Sequence, residues 1–514
     1  MTCTTVTDHA IPALEPRDPY NQILAANVHP ADWTNPSPKP CYDLVVIGAG
    51  TAGLVTAAGA AGLGATVALI EKDLMGGDCL NVGCVPSKAL IRAARAWQEV
   101  AEVTAFGGQI ANFSGSFPAV MERMRHLRSA ISHHDSAKRF AGLGVDVFFG
   151  SAAFADKSSV AVGQQALMFR RAVIATGARA TVPAIPGLEQ VGYLTNETIF
   201  SLVELPRRMA VIGAGPIGCE LAQAFARFGT CVFLLTSGHP FLSAEDRDAA
   251  ERVEISLRQD GVEIIADQPV LRLGVDGDKK IVYFSGPGGR STLPVDAILV
   301  AVGRTPNCGS LNLSAAGVAH DARKGVLVDD FLRTKNKLIF AAGDVCSACK
   351  FTHAADAMAR IVLRNALFFG RERVSRLQIP HCTYTDPEVA GVGLSETQLI
   401  KTGTPFKTIR VDLKTMDRAI LDGETDGFLK VRMAVGKDHI LGATLVARHA
   451  GEMISEMTLA MTAGLGLSSI AGTIHPYPTQ AEIFKRAGDA FSRTRLTPRT
   501  EKILHALIKI RRWL

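Results

Sequence analysis

The sequence predicts an α/β protein built on two Rossmann-like nucleotide-binding units. Three observations carry that expectation. The run Gly48-Ala49-Gly50-Thr51-Ala52-Gly53 follows an apolar segment and precedes a stretch of small residues. The same arrangement recurs 165 residues later as Gly213-Ala214-Gly215-Pro216-Ile217-Gly218. Apolar content of 47% against 20% charged residues belongs to a globular chain and excludes a mainly disordered or fibrous one. One GxGxxG is a weak signal, but two, each between a strand and a helix, are a strong one.

Taken in order, residues 1–40 are rich in Pro, Asn and Asp, lack periodicity, and read as an extended arm ending at Pro36, Pro38 and Pro40. Leu44-Val45-Val46-Ile47 reads as a buried strand, and Thr66 to Glu71 as the next one. Leu44 to Ile70 carries no charge and is long enough to span a bilayer. Its six glycines favour strand, turn, helix and strand in one α/β layer instead. The glycines would let the backbone approach a pyrophosphate at a helix N-terminus, and Glu71 would accept hydrogen bonds from a ribose, as in FAD or NAD. In the second copy, Met209 to Ile212 and Cys231 to Thr236 are the strands. Thr236 and Ser237 offer neither an acid nor an Arg, which leaves NADPH or NADH open with a lean to NADPH. Ala172 to Ala175, with Thr176 and Gly177, reads as a strand ending in a small-residue turn. Leu338 to Gly343 ends at Asp344, placed either to hold a ribityl hydroxyl or to cap a helix.

A length of 514 residues allows roughly three or four domains. The net charge of +6 is too small and scattered to argue for nucleic acid. Ten cysteines do not make a disulfide scaffold, and no apolar run follows Met1, so a reducing compartment, the cytoplasm, is expected.

The chemistry is concentrated in Gly76-Gly77-Asp78-Cys79-Leu80-Asn81-Val82-Gly83-Cys84-Val85-Pro86-Ser87-Lys88. A four-residue gap between cysteines does not match a CxxC zinc hairpin. Pro86 fits the first turn of a helix running through Trp97, which puts Cys84 at a helix N-terminus where a thiolate is stabilised. Residues five apart on an ideal helix point about 140° apart. A Cys79–Cys84 disulfide would need a distorted turn, and strained disulfides are the labile ones.

This segment resembles the redox motif of the pyridine nucleotide–disulfide oxidoreductases, the family of dihydrolipoamide dehydrogenase, glutathione reductase and mercuric reductase. The resemblance covers about residues 41–495. It implies an FAD-binding domain at 41–190 and 311–375, an NAD(P)H-binding domain at 191–310 and an α+β dimerisation domain at 376–495. An N-terminal extension (1–40) and a basic tail (496–514) flank them. It implies a homodimer with FAD and NADPH or NADH as cofactors. Cys84 resembles the flavin-facing thiolate and Cys79 the interchange thiol. Lys88 matches the lysine beside the flavin and Glu220 its ion-pair partner. Asp344 matches the FAD-binding acid, and Thr352, His353 and Ala354 the helix start facing the flavin. Gly77, Asp78 and Gly303 join the cofactor-binding residues on the same resemblance.

The C-terminal motif separates family members. Disulfide reductases of this family carry His-Pro-Thr-x-x-Glu. Here the text is Ile474-His475-Pro476-Tyr477-Pro478-Thr479-Gln480-Ala481-Glu482. Counting back five from Glu482 reaches Tyr477, while His475 is seven back and is the rival base. A phenol with a pKa near 10 is a poor base for a dithiol. Tyrosine at this place resembles mercuric reductases, which makes Cys79 and Cys84 transient Hg(II) ligands and the acceptor a metal ion or small molecule. Those enzymes carry a C-terminal cysteine pair, whereas no cysteine follows Cys382 here, and Cys3 stands alone near the start. Cys346-x-x-Cys349 reads as packing before it reads as a second thiol pair. Residues 497–514 form a basic amphipathic segment that suits peripheral contact with an anionic membrane surface. The reading is a mercuric reductase-like oxidoreductase. Its alternatives are a dihydrolipoamide dehydrogenase and a redox relay or sensor at the inner membrane surface.

Overall fold

The computed structural model describes residues 14–109, 112–237, 241–286 and 289–513. Cys3 and Leu514 lie outside them. The chain forms two compact units, one within 1–238 and 261–377, the other within 239–260 and 378–514.

The first unit opens with a correction. The segment before residue 40 is not wholly an extended arm, because Pro19–Val28 forms a helix, α1. The Asp18 side chain caps it by accepting from the Asn21 N–H, and Pro19 supplies the first-turn φ. Asn21, Leu24 and Val28 bury one stripe. The composition of the arm hid this i, i+3, i+7 spacing.

The first Rossmann-like layer follows. Strand β1 (Tyr42–Ile47), helix α2 (Thr51–Gly62) and strand β2 (Val67–Glu71) come in the order the sequence predicts. After them come α3 (Gly77–Asn81), α4 (Cys84–Glu102), α5 (Phe117–Ser132) and β3 (Val145–Phe149). Three further strands, β4 (Ala152–Phe154), β5 (Ser159–Val162) and β6 (Gln165–Ile174), complete the first part of the sheet. Strands β3, β2, β1 and β6 run parallel in that spatial order, and β5 and β4 continue antiparallel. Leu44 and Val46 enter the core on one face of β1, Val45 and Ile47 the core on the other. A strand buried on both faces has no room for charge, which is why this run mimics a membrane span.

The second layer is smaller. Strand β7 (Arg208–Ile212), helix α6 (Pro216–Arg227) and strand β8 (Cys231–Leu235) repeat the first unit. Helix α7 (Arg247–Gln259) follows but belongs to the second compact unit. The chain returns through β9 (Glu263–Ile265) and β10 (Ala297–Val300), giving a parallel sheet ordered β9-β8-β7-β10. Strand β11 (Ile339–Ala341) then joins β6 of the first sheet, and α8 (Thr352–Leu367) follows.

The second unit is a five-stranded antiparallel sheet with helices. Its strands are β12 (His381–Thr383), β13 (Glu388–Gly393), β14 (Phe406–Asp412), β15 (Phe428–Ala434) and β16 (Ile440–Ala447), ordered β12-β13-β16-β15-β14. Asp246, before α7, is 3% exposed and accepts from the Arg432 guanidinium of β15 at 2.6 Å. The Lys430 ammonium stands 3.1 Å from the same carboxylate. Two later helices, α9 (Glu482–Thr494) and α10 (Pro498–Arg511), end the chain. No helix among the described residues is long and apolar enough to cross a membrane.

Candidate active site

Two glycine turns form the candidate nucleotide sites. Gly48 has φ +101°, and a Cβ there would fall 2.5 Å from the Ala175 carbonyl oxygen. A Cβ on Gly53 would fall 1.8 Å from the Gly48 carbonyl oxygen. These two glycines serve the turn itself. Gly50 differs, because its Cβ would meet only the Gly77 Cα, at 3.8 Å. The second turn repeats this, with Gly213 at φ +113°, Gly218 closed by the Gly213 carbonyl at 2.0 Å, and Gly215 facing open space. Neither α2 nor α6 has a side-chain cap, so the N–H groups of Thr51 and Ala52, and of Ile217 after Pro216, are left for an anion. Open space over an uncapped helix start fits a pyrophosphate in both places.

Glu71 ends β2 fully buried, with its oxygens accepting from the Ala49 N–H at 2.6 Å and the Asp73 N–H at 2.9 Å. Burial pushes its carboxyl up, and those N–H groups oppose the shift. It therefore staples the glycine turn, and each oxygen retains a lone pair for a ribose. Gly177 (φ +65°) and Gly303 (φ +122°) face open space, while Gly343 (φ +81°) closes on Ala52 and Ala355. Arg304, not singled out from the sequence, pairs with Asp78 and lies 3.4 Å from Asp344. Burial pushes the Asp344 carboxyl up, and Arg304 opposes that. Thr176 donates to the Asn307 carbonyl at 2.8 Å. Open glycines beside an acid held by an arginine suit the sugar and phosphate groups of FAD.

The cysteines lie on two helices, not one. Cys79 is in α3 and Cys84 is the first residue of α4, with Val82 and Gly83 between them. The break at Gly83 removes the 140° conflict and leaves the two thiols close enough to act on each other's ionisation. Gly83 is required there, since a Cβ would lie 2.6 Å from the Asp78 carbonyl oxygen. The Cys84 sulfur is 3.3 Å from the Thr352 hydroxyl at the start of α8. Contact with Cys79 is the main influence lowering the Cys84 thiol, to about 6, with Thr352 and Lys88 acting the same way. The same contact, with burial, pushes Cys79 far up. The Lys88 ammonium is 2.8 Å from the Glu220 carboxylate, which is 6% exposed. That pair joins α4 to α6, one nucleotide layer to the other.

Thr352's hydroxyl and Asp135 were missed from the sequence as thiol neighbours. Asp135 follows α5, its carboxyl pushed up by burial, and its charge raises Cys79. Nothing in the sequence marks it, because it lies 56 residues after Cys79. His353 stacks on Phe351 with ring centroids 5.4 Å apart, and Ala354 is buried. Cys346 packs against the core and burial pushes its thiol up to about 12, whereas Cys349 is exposed. Among the described residues no group of three or more His, Cys, Asp and Glu side chains is gathered to hold a metal ion.

The C-terminal candidates lie in the second unit. Tyr477 is 70% exposed and donates to Asp417 at 2.8 Å, which raises its phenol pKa. Its carboxylate partner is thus Asp417, and Glu482 instead contacts Arg486 at 3.4 Å. His475 has its own carboxylate, Glu456, 3.0 Å from Nε2.

Comparison with known proteins completes the description. Residues 42–359 match the family described as pyridine nucleotide-disulphide oxidoreductase, and residues 379–488 match its dimerisation domain. A mercuric reductase from Lysinibacillus sphaericus is 35% identical over 452 residues, 88% of this chain and 83% of the relative. A dihydrolipoyl dehydrogenase from Bacillus subtilis (strain 168) is 33% identical, covering 87% of this chain and 96% of the relative. The solved structure of the HOCl-induced flavoprotein disulfide reductase RclA from Escherichia coli has a TM-score of 0.78 at 30% identity, covering 87% of this chain and 99% of that one. With two layers of glycine turns, an interacting cysteine pair and these relatives, the chain belongs to the pyridine nucleotide-disulphide oxidoreductases, enzymes that use FAD and NAD(P)H.

Proposed function

We propose that the protein carries two electrons from NAD(P)H through Cys79 and Cys84 to a thiophilic metal ion, with Hg(II) as the test substrate and a homodimer as the working unit. NAD(P)H leaves as NAD(P)+ and a proton, and Hg(II) leaves as Hg(0). FAD, when bound, supplies the two-electron relay between nicotinamide and sulfur. The chain's own residues do the rest. The helix starts at α2 and α6 hold the pyrophosphates. Lys88, Thr352 and Cys79 keep Cys84 a thiolate near neutral pH, and thiolates are soft ligands for such a metal.

The observation that carries the reading is Tyr477. A phenol raised by Asp417 stays protonated at neutral pH and does not serve as the base a dithiol substrate needs. Rapid anaerobic mixing tests it. Reduction by NADPH or NADH followed by Hg(II) should give metal-dependent nucleotide oxidation, with little turnover of lipoamide or glutathione disulfide. Absence of Hg(II) turnover with intact thiol reduction would sink the metal reading alone.

A second reading is favoured by the His475–Glu456 pair, an imidazole oriented by a carboxylate. It makes the protein a dihydrolipoyl dehydrogenase, with fast lipoamide turnover lost in His475→Gln. A third is favoured by α10, none of whose residues is buried and whose apolar Ile503, Leu507 and Ile510 are exposed. Its Lys and Arg residues suit an anionic membrane surface. Liposomes containing phosphatidylserine should then sediment the full chain and not one ending at residue 496.

A further inference from the structure

The family match begins at residue 42, yet the segment before it grips the loop that carries Cys79. The Val28 carbonyl, at the end of α1, accepts from the Met75 N–H at 3.1 Å. His29 Nδ1 contacts the Asp73 carbonyl. Arg128 of α5 reaches the other end of the loop. Its guanidinium donates to the Asn81 carbonyl at 2.7 Å and to the Asn21 side-chain oxygen of α1 at 2.6 Å. The Asn81 amide in turn donates to the Met75 carbonyl at 3.0 Å and the Gly77 carbonyl at 2.9 Å. Asp18 pairs with Arg125, one turn before Arg128, fixing the start of α1 to the same helix.

Residues 73–81 are therefore held at Asp73, Met75 and Asn81, and Cys79 lies between the last two anchors. Arg128 is 4% exposed and Asn21 3%. One planar guanidinium bridges two acceptors on different elements, a geometry a lysine cannot reproduce. The Cys79 thiol interacts with Cys84, so where this loop sits sets the placement of one sulfur against the other.

We propose that Arg128, seated by Asn21 of α1, is a positioning residue for Cys79. It acts through the Asn81 carbonyl to keep Cys79 beside Cys84. This rests on the reading of Cys79 and Cys84 as the redox pair.

The test uses the full-length, cofactor-loaded protein with Asn21→Ala, Asn21→Asp and Arg128→Lys. The first readout is the pH profile of alkylation of each reduced cysteine by iodoacetamide, mapped by peptide mass spectrometry. The second compares flavin reduction by NAD(P)H with the acceptor half-reaction. In Asn21→Ala and Arg128→Lys the Cys84 profile should move to higher pH. The acceptor half-reaction should slow by up to about 100-fold, the scale of a small misplacement of a reacting group. Flavin reduction should be unchanged. Asn21→Asp, which keeps an acceptor for Arg128, should restore both readouts. If Arg128→Lys does not fold, the Asn21 pair carries the test. An unshifted Cys84 profile in folded Asn21→Ala protein overturns the proposal, as does an equal slowing of both half-reactions. Failure of the redox-pair reading looks different, because Cys79→Ser and Cys84→Ser would then leave acceptor turnover intact in the otherwise native chain.

Discussion

The Cys84 sulfur and the Thr352 hydroxyl stand 3.3 Å apart, so the starts of α4 and α8 meet at a single sulfur. Residues 268 apart in sequence thereby tune one thiol. Thr352→Val removes the hydroxyl and keeps the shape. The alkylation profile of Cys84, centred on about pH 6 in the native protein, should shift upward while the fold is unchanged. An unmoved profile would remove Thr352 from the site.

Lys88 and Glu220 act on Cys84 with opposite signs. The ammonium lowers its pKa and the carboxylate raises it. Lys88→Met should therefore shift the thiolate profile to higher pH, and Glu220→Gln to lower pH. Thiolate absorbance in the ultraviolet, followed through a pH titration of reduced protein, reads both. Shifts of the same sign in the two variants would contradict the pairing seen here.

The glycines divide by what surrounds them. Gly218→Ala should yield little folded protein, because its Cβ would lie 2.0 Å from a backbone oxygen. Gly215→Ala has open space and should fold with native thermal stability. Its loss should appear as a raised KM for NAD(P)H, since the added methyl stands where the pyrophosphate approaches. Steady-state kinetics and thermal melts separate the two.

Asp246 and Arg432 form a buried pair, each side chain 2% exposed. Burial alone would push the Asp246 carboxyl up, but Arg432 and Lys430 hold it below the usual range. Arg432→Met leaves the carboxylate poorly compensated and should cost about 3–5 kcal/mol. Because the folded pKa lies below the unfolded one, this stabilisation is present above pH 4 or so and fades as pH falls through the folded value. Urea denaturation of both proteins across that window should show the difference shrinking on acidification.

Much of the first layer was legible because its physics is local. A strand, a glycine turn and a helix write themselves into consecutive residues, and Pro86 marks the start of α4 from two residues away. Helix α1 escaped because composition was weighed over the spacing of Asn21, Leu24 and Val28. The distorted turn expected between the cysteines is the break at Gly83, but the separate short helix α3 that carries Cys79 was not foreseen. Asp135 and Arg304 reach the site only through tertiary packing, which leaves no trace in neighbouring residues, and Thr352, read from the sequence as a flavin neighbour, gains its contact with Cys84 the same way. The carboxylate partner of Tyr477 belongs to the same class: spacing suggested Glu482, and Asp417, 60 residues away, accepts the bond.

Helix α7 has a consequence for anyone dissecting the protein. It is encoded in the middle of the nucleotide-binding stretch, yet its counter-charges Arg432 and Lys430 are encoded nearly 200 residues later. A gene fragment beginning at codon 378 would lose Asp246 and Asp248, leaving Glu396 beside Lys430 and no carboxylate hydrogen-bonded to the sealed-in Arg432. Modular swaps at that boundary should thus give insoluble product unless residues 239–260 travel with it.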